Sequence, residues 1–179
     1  MSYITKDLLE QFVNKYPEDE TLVEHYAKAA EEEIENYLGY SPEKKEYTTL
    51  RYGDGGTLFE LDAKPLIELE SISENGKELS VSQFRIKSGN YLEYSYGKNI
   101  FNKTSLYSLT YIAGYEEVPQ KIITVGLQIA SLMWESEGGN IAVSSTSFAD
   151  NGSRVFNNFK AERFLSELDP YRLTLQRGI

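Results

Sequence analysis

From Lys121 to Glu135 the chain reads KIITVGLQIASLMWE, and only Lys121, Thr124, Gln128, Ser131 and Glu135 interrupt its apolar run. No other stretch limits the possible folds as much. It follows Val118-Pro119, and proline suits the first turn of a helix, where its missing N–H would have had no partner. A helix apolar nearly all round must be covered on most sides. In a chain of 179 residues it is expected to be the central helix, or to turn one face to a neighbouring subunit. The residues expected on such a subunit face are Ile122, Val125, Ile129, Leu132 and Met133.

The segment just before it, Ser105 to Ile112, alternates, with Leu106, Ser108, Thr110 and Ile112 on one face and Tyr107, Leu109 and Tyr111 on the other. Apolar residues on both faces predict a well-buried strand. Ala113-Gly114-Tyr115 ends it.

The N-terminal part has helical spacing. Thr5 is a candidate N-cap for a helix carrying Leu8, Leu9, Phe12, Val13 and Tyr16, and Pro17 stops it. A second helix opens on Pro-Glu-Asp-Glu, with acids at the positive end of its dipole. Its apolar stripe is Leu22, Val23, Tyr26, Ala27, Ala30, Ile34, Tyr37 and Leu38, and its opposite face holds Glu20, Glu24, Lys28, Glu31 and Glu35. Gly39 is placed to close it. Two antiparallel helices with a short connection are expected.

The period then changes to two. Glu46–Tyr52 and Thr57–Leu61 are β-like and are expected to form a hairpin across Gly53-Asp54-Gly55-Gly56. Leu66 to Ile72 alternates and leads to an Asn75-Gly76 turn. Gln83–Lys87 and Tyr91–Tyr96 form a further hairpin across Ser88-Gly89-Asn90. After the apolar helix, Gly138 to Gly152 is rich in Ser, Gly and Asn and is expected to be a long loop. A short helix ends at Asp169-Pro170, and a weakly alternating tail, YRLTLQRGI, follows.

The fold class expected is α+β. A helical core (N-terminal helical hairpin, long central helix, short C-terminal helix) carries an inserted antiparallel β-hairpin or sheet subdomain. The divisions are 1–45, 46–112, 113–168 and an extended tail over 169–179, all in one composite domain.

Composition excludes several functions. The net charge of −10 argues against a protein that grips nucleic acid, which needs clustered Lys and Arg. Residues 1–46 hold twelve acids and five bases, a net of −7, whereas residues 153–179 carry a net of +2. There is no cysteine, hence no disulfide or thiolate metal site. No stretch approaches the roughly 20 apolar residues of a membrane span, and the N-terminus carries no secretion-signal pattern.

The search for chemistry is negative, so no catalytic, cofactor or metal residues are expected. His25, the single histidine, sits beside apolar helix positions with no positioned partner, and a structural or exposed role is expected. Glu31-Glu32-Glu33 and Glu116-Glu117 are paired only along the chain, and adjacent helix residues point apart. The glycines at 53–56 lack the Lys-Ser/Thr of a phosphate loop and lead into a strand. Asp54 and Asp150 lie in no alternating ligand loop for calcium. The tyrosine-rich strand Tyr91–Tyr96 leaves open a small carbohydrate- or peptide-binding module, with sheet packing as the simpler reading.

The order of parts resembles a family. The acidic helices end in Tyr37-Leu38-Gly39-Tyr40. A β-rich insertion with its Asn75-Gly76 turn follows. Then come Leu109-Thr110-Tyr111-Ile112-Ala113-Gly114-Tyr115, Val118-Pro119 and the apolar helix, a Ser/Gly loop from Ser144 to Gly152, and a last helix running into Leu168-Asp169-Pro170-Tyr171-Arg172. This resembles the head–tail connector (adaptor, head completion) proteins of tailed bacteriophages over nearly the whole chain, with a larger β insertion than the compact members.

The resemblance implies a structural virion protein and no enzyme. Such proteins form a ring, typically dodecameric, beneath the portal protein. The ring docks stopper or tail-completion proteins and continues the channel through which double-stranded DNA passes without specific binding. The location implied is the virion neck, assembled in the host cytoplasm, with no membrane partner. The C-terminal segment of such proteins can pack against the portal. Here that segment is Tyr171 to Ile179, with Arg172 and Arg177 as its charges and Tyr171, Leu173, Leu175 and Ile179 as its other contacts. An acidic channel lining would keep contacts with phosphate weak, and Glu20, Glu24, Glu31 and Glu35 are the acids expected to provide it.

Overall fold

The computed structural model describes residues 2–13, 20–87, 89–96, 99–137, 145–148, 152–155 and 161–173. It is a mixed α+β protein with antiparallel sheets. Contacts divide it into two compact units, Met1–Tyr37 with Pro119–Arg172, and Leu38–Val118 with Leu173–Ile179.

The first unit is helical. Helix α1 spans Lys6–Phe12, and the Thr5 side chain caps it by accepting from the Leu8 N–H, as its sequence position predicts. Helix α2 spans Glu20–Leu38 and α3 spans Gln120–Glu137. A single turn, α4 (Glu162–Leu165), continues into a 3-10 helix over Ser166–Tyr171. The short connection expected between the first two helices falls at residues 14–19, outside the described residues. Helix α1 packs on α3, because α3 has apolar surface to cover on more than one side. Gly126 marks the tightest packing, since a Cβ there would lie 2.1 Å from Ile4 Cδ1 and 3.1 Å from Ile34 Cδ1. Ile4 and Ile34 are themselves fully buried. The stretch expected to be one long loop also holds structure, with β8 (Ser145–Phe148) paired antiparallel to β9 (Gly152–Val155).

The second unit holds two sheets. One has the order β1-β7-β3-β4, where β1 is Lys45–Tyr52, β7 is Leu106–Ala113, β3 is Leu66–Glu74 and β4 is Lys77–Leu79. The other has the order β2-β6-β5, from Leu58–Glu60, Tyr91–Tyr94 and Phe84–Lys87. Two expected hairpins are present. Strands β3 and β4 turn at Asn75-Gly76, both at positive φ (50° and 79°), and β5 pairs with β6. The third, between β1 and β2, is corrected. Strand β1 pairs with β7 and β2 with β6, so the glycine run at 53–56 is a passage between sheets. Gly53 is glycine for a steric reason, because a Cβ would sit 2.4 Å from the Phe101 carbonyl oxygen.

Strand β7 runs through the centre of its sheet. Its burial alternates strictly, with Tyr107, Leu109, Tyr111 and Ala113 buried and Leu106, Ser108, Thr110 and Ile112 half-buried. That is the two-face pattern expected of it. At its end, Gly114 has φ +105°, and a Cβ would lie 2.2 Å from the Glu43 carbonyl oxygen. Here the Tyr115 N–H donates to the Pro42 carbonyl (2.8 Å) and the Lys44 N–H to the Tyr115 carbonyl (3.2 Å). The Ala-Gly-Tyr sequence is therefore a junction where two backbone segments touch.

Candidate functional site

Among the described residues no side-chain arrangement suited to chemistry stands out, and the candidate sites considered are surfaces. Helix α2 turns Val23, Tyr26, Ala27, Ala30, Ile34 and Leu38 inward. Its exposed residues include Thr21, Glu24, His25, Lys28, Glu32, Glu33 and Asn36. Of the four acids expected on a channel face, Glu24 is exposed, Glu31 and Glu35 are half-buried, and the side chain of Glu20 lies outside the described residues. The Glu31 carboxylate accepts from the Ile4 N–H (2.7 Å) and the Ser2 hydroxyl (2.8 Å), so it fastens the N-terminal segment. Glu32 and Glu33 are the acids exposed alongside Glu24. His25 is exposed, edge-on to Tyr26 at 5.8 Å.

Reading Ile122, Val125 and Ile129 as subunit-interface residues is corrected. All three are fully buried within the chain itself, together with Ala130. Leu132 and Met133 are half-buried, and among the described side chains of α3 Gln120 and Lys121 are exposed. Lys121 forms an ion pair with Glu167 of the 3-10 helix. The apolar excess of α3 is spent on its own unit, because α1, α4 and the 3-10 helix also pack against it. Trp134 meets Tyr26 of α2 edge-on at 6.1 Å.

The start of the expected tail is also corrected, since Tyr171 ends the 3-10 helix and is not extended. The Arg172 guanidinium lies over the Tyr37 ring, 5.0 Å from its centre. The Tyr37 hydroxyl donates to the Asp169 carboxylate at 2.5 Å. That hydrogen bond, with partial burial and the Asp169 charge, raises the Tyr37 phenol above its ordinary value. Leu173 is buried, its N–H donates to the Leu38 carbonyl at 3.0 Å, and its side chain lies 3.7 Å from where a Cβ on Gly39 would be. Leu175, Arg177 and Ile179 lie outside the described residues.

In the sheet unit, the tyrosines serve packing. Phe59, Phe84, Tyr94, Phe101 and Tyr107 form one ring cluster with centroids 4.6–6.1 Å apart. Burial pushes the Tyr94 phenol up to about 12 and also raises Tyr107. The Tyr107 hydroxyl donates to Glu74 (2.9 Å) and accepts from the Asn102 N–H (3.1 Å). Tyr111 is raised chiefly by burial, and its hydroxyl accepts from the Asp62 N–H at 3.1 Å. At Tyr107 the hydroxyl has both a donor and an acceptor, as a buried polar group requires.

Sequence reasoning passed over several exposed apolar residues. Leu50 (64% exposed) and Tyr52 (63%) lie on β1, and Val81 and Ile86 border a cleft lined also by Ile67, Glu68, Leu69, Phe84, Arg85 and Leu92. The signal was present for the first pair. Leu50 and Tyr52 share parity with Glu46 and Thr48, so a period of two puts two large apolar groups on the solvent face. Among the described residues no cluster of His, Cys, Asp or Glu is arranged to hold a metal ion, and no helix is long and apolar enough to cross a membrane.

No protein-family model and no curated protein sequence matches the chain. Its fold does match solved structures. A chain from the neck of a native gene transfer agent (GTA) particle, computed with C12 symmetry, is similar with a TM-score of 0.63 at 10% identity, over 99% of this chain and 92% of its own. A chain from the neck of an empty GTA particle, computed with C6 symmetry, gives 0.61 at 11% identity, over 98% and 95%. A chain from the virion of a native GTA particle gives 0.60 at 11% identity, over 92% and 83%. At these identities the likeness establishes the fold. It extends over both units.

Proposed function

We propose that this chain is a structural subunit of a virion neck, a head–tail connector that assembles as a ring below the portal protein and continues the DNA channel. The observation that carries this is the fold likeness, nearly end to end, to chains from necks of GTA particles. The order of parts along the sequence supports it independently. A cyclic assembly, of twelve copies in this reading, fits a neighbour computed with C12 symmetry. The stopper or tail-completion protein docks on the face away from the portal. The role requires no catalysis, and none of the described side chains is placed as a nucleophile with its base.

The exposed side of α2 that carries Glu24 and Glu32 is the channel-facing surface in this proposal, since like charge keeps DNA from adhering. Portal docking belongs to residues 174–179, because Arg172 and Leu173 are already engaged by their own chain. The deciding experiment removes the protein from the producing genome. The proposal expects DNA-filled heads that carry portal and lack tails, restored by supplying the protein. Normally tailed particles without it would refute the connector role.

A further inference from the structure

The sheet unit carries two apolar surfaces of opposite shape at opposite edges. Strand β1 forms one end of the order β1-β7-β3-β4, and among the described residues no strand pairs with its outer edge. Its solvent face projects Leu50 and Tyr52, and Leu106, half-buried, stands opposite Tyr52. An exposed eight-residue edge strand bearing large apolar groups is an aggregation liability unless something covers it.

The other end of the sheet is recessed. Strand β4 pairs only with Ile72–Glu74, so along Leu66–Leu69 β3 is itself the sheet edge. Between that stretch and β5, the edge strand of the second sheet, lies an open cleft of about 390 Å³. Leu69, Phe84 and Leu92 are its buried residues, and Ile67, Val81 and Ile86, with the charged Glu68 and Arg85, are its more exposed ones. It is a mainly apolar notch with one acid and one base at its rim, at the edge of a two-sheet packing.

We propose that these are the two halves of the ring contact, with Leu50 and Tyr52 of one copy seated in the Val81–Ile86 cleft of the next. The occupant is a second copy of this chain. A ring needs a head-to-tail contact, in which two different surfaces of each copy meet. One protruding and one recessed apolar surface at opposite ends of the same sheet meet that requirement. A self-complementary patch would instead close a dimer. The inference rests on the ring reading above and adds the residues that make the ring. Ile122, Val125 and Ile129 of α3, buried within the chain, take no part in this contact.

The absence of cysteine makes the test clean. Tyr52→Cys and Val81→Cys are introduced together and singly into the full chain. Each protein is oxidised both when purified and concentrated and when incorporated into particles, then resolved without reductant. The proposal expects a ladder of covalent oligomers from the double variant and none from Val81→Cys alone. Tyr52→Cys alone should give no species beyond a dimer. As a second measurement, Tyr52→Asp should fold normally by circular dichroism yet lose ring assembly. Rings visible by electron microscopy without a ladder, or rings unaffected by Tyr52→Asp, overturn this contact and leave the ring reading standing. A ladder from a chain that is absent from the neck leaves the contact standing and overturns the neck reading. Absence of any oligomer in both settings overturns both.

Discussion

The Ala113-Gly114-Tyr115 junction offers a quantitative test of how this fold is held. In Gly114→Ala the new Cβ would sit 2.2 Å from the Glu43 carbonyl oxygen, 2.6 Å from its carbon and 2.8 Å from the Lys44 nitrogen. All three are backbone atoms, so relief requires the two chain segments to separate. A Cβ at positive φ costs about 1–2 kcal/mol on its own. Separation also weakens the Tyr115-to-Pro42 and Lys44-to-Tyr115 hydrogen bonds, at about 1 kcal/mol each. The expected loss is therefore about 3–4 kcal/mol. Gly76→Ala is the control. Gly76 has φ +79° and nothing within 4 Å of the added Cβ, so only the backbone term applies, about 1–2 kcal/mol. Urea unfolding followed by far-ultraviolet circular dichroism measures both, at unchanged slope. If Gly114→Ala costs no more than Gly76→Ala, the close approach of the two segments is not what holds the junction.

At Gly126 the clash is with Ile4 Cδ1, the atom that Ile4→Val deletes. Gly126→Ala should cost about 1–3 kcal/mol from overpacking against about 1 kcal/mol gained in helix propensity. Adding Ile4→Val should recover part of that loss, and simple additivity in a double-mutant cycle would contradict the packing described. In alkali, burial raises Tyr94 to about 12 from an ordinary 10.0, and Tyr107, Tyr111 and Tyr37 are raised too. The folded chain then holds protons that the unfolded chain has released, so stability is full below pH 10 and falls towards pH 12. Tyr94→Phe should flatten that fall in thermal melts, and an unchanged slope would refute it. Deleting residues 174–179 should leave melting unchanged and abolish co-sedimentation with the portal protein, whereas intact co-sedimentation would place portal docking elsewhere. Replacing Glu24 and Glu32 by Lys should slow DNA ejection without blocking assembly, and normal ejection kinetics would remove α2 from the channel wall.

Much of the fold was legible because its signals are local. The Asn75-Gly76 turn, the strict alternation of β7, the Thr5 cap and Gly39 after α2 each depend on neighbours a few residues away. What failed depended on distant partners. Gly53-Asp54-Gly55-Gly56 looks like a hairpin turn, yet Gly53 is small because the Phe101 backbone passes it, and β1 pairs with a strand more than fifty residues on. The apolar girth of α3 fits a central helix or a subunit face alike, and only the packing of α1 and the C-terminal turns against it shows how much of it the chain covers itself. Arg172 looked like a free tail charge because nothing near it in sequence shows that Tyr37 offers a ring. The surfaces now assigned to assembly, Leu50 with Tyr52 and the Val81–Ile86 cleft, needed the sheet order before they could be recognised as opposite edges.

The central claim is that this chain is a ring-forming neck subunit. A reconstruction of the neck of the particle that carries it, made without imposed symmetry, tests this most directly. The account predicts a closed ring of copies directly below the portal, each fitting the two-unit fold, with the α2 face towards the channel and residues 174–179 towards the portal. Purified, infectious particles whose neck holds no copy of this chain would contradict it.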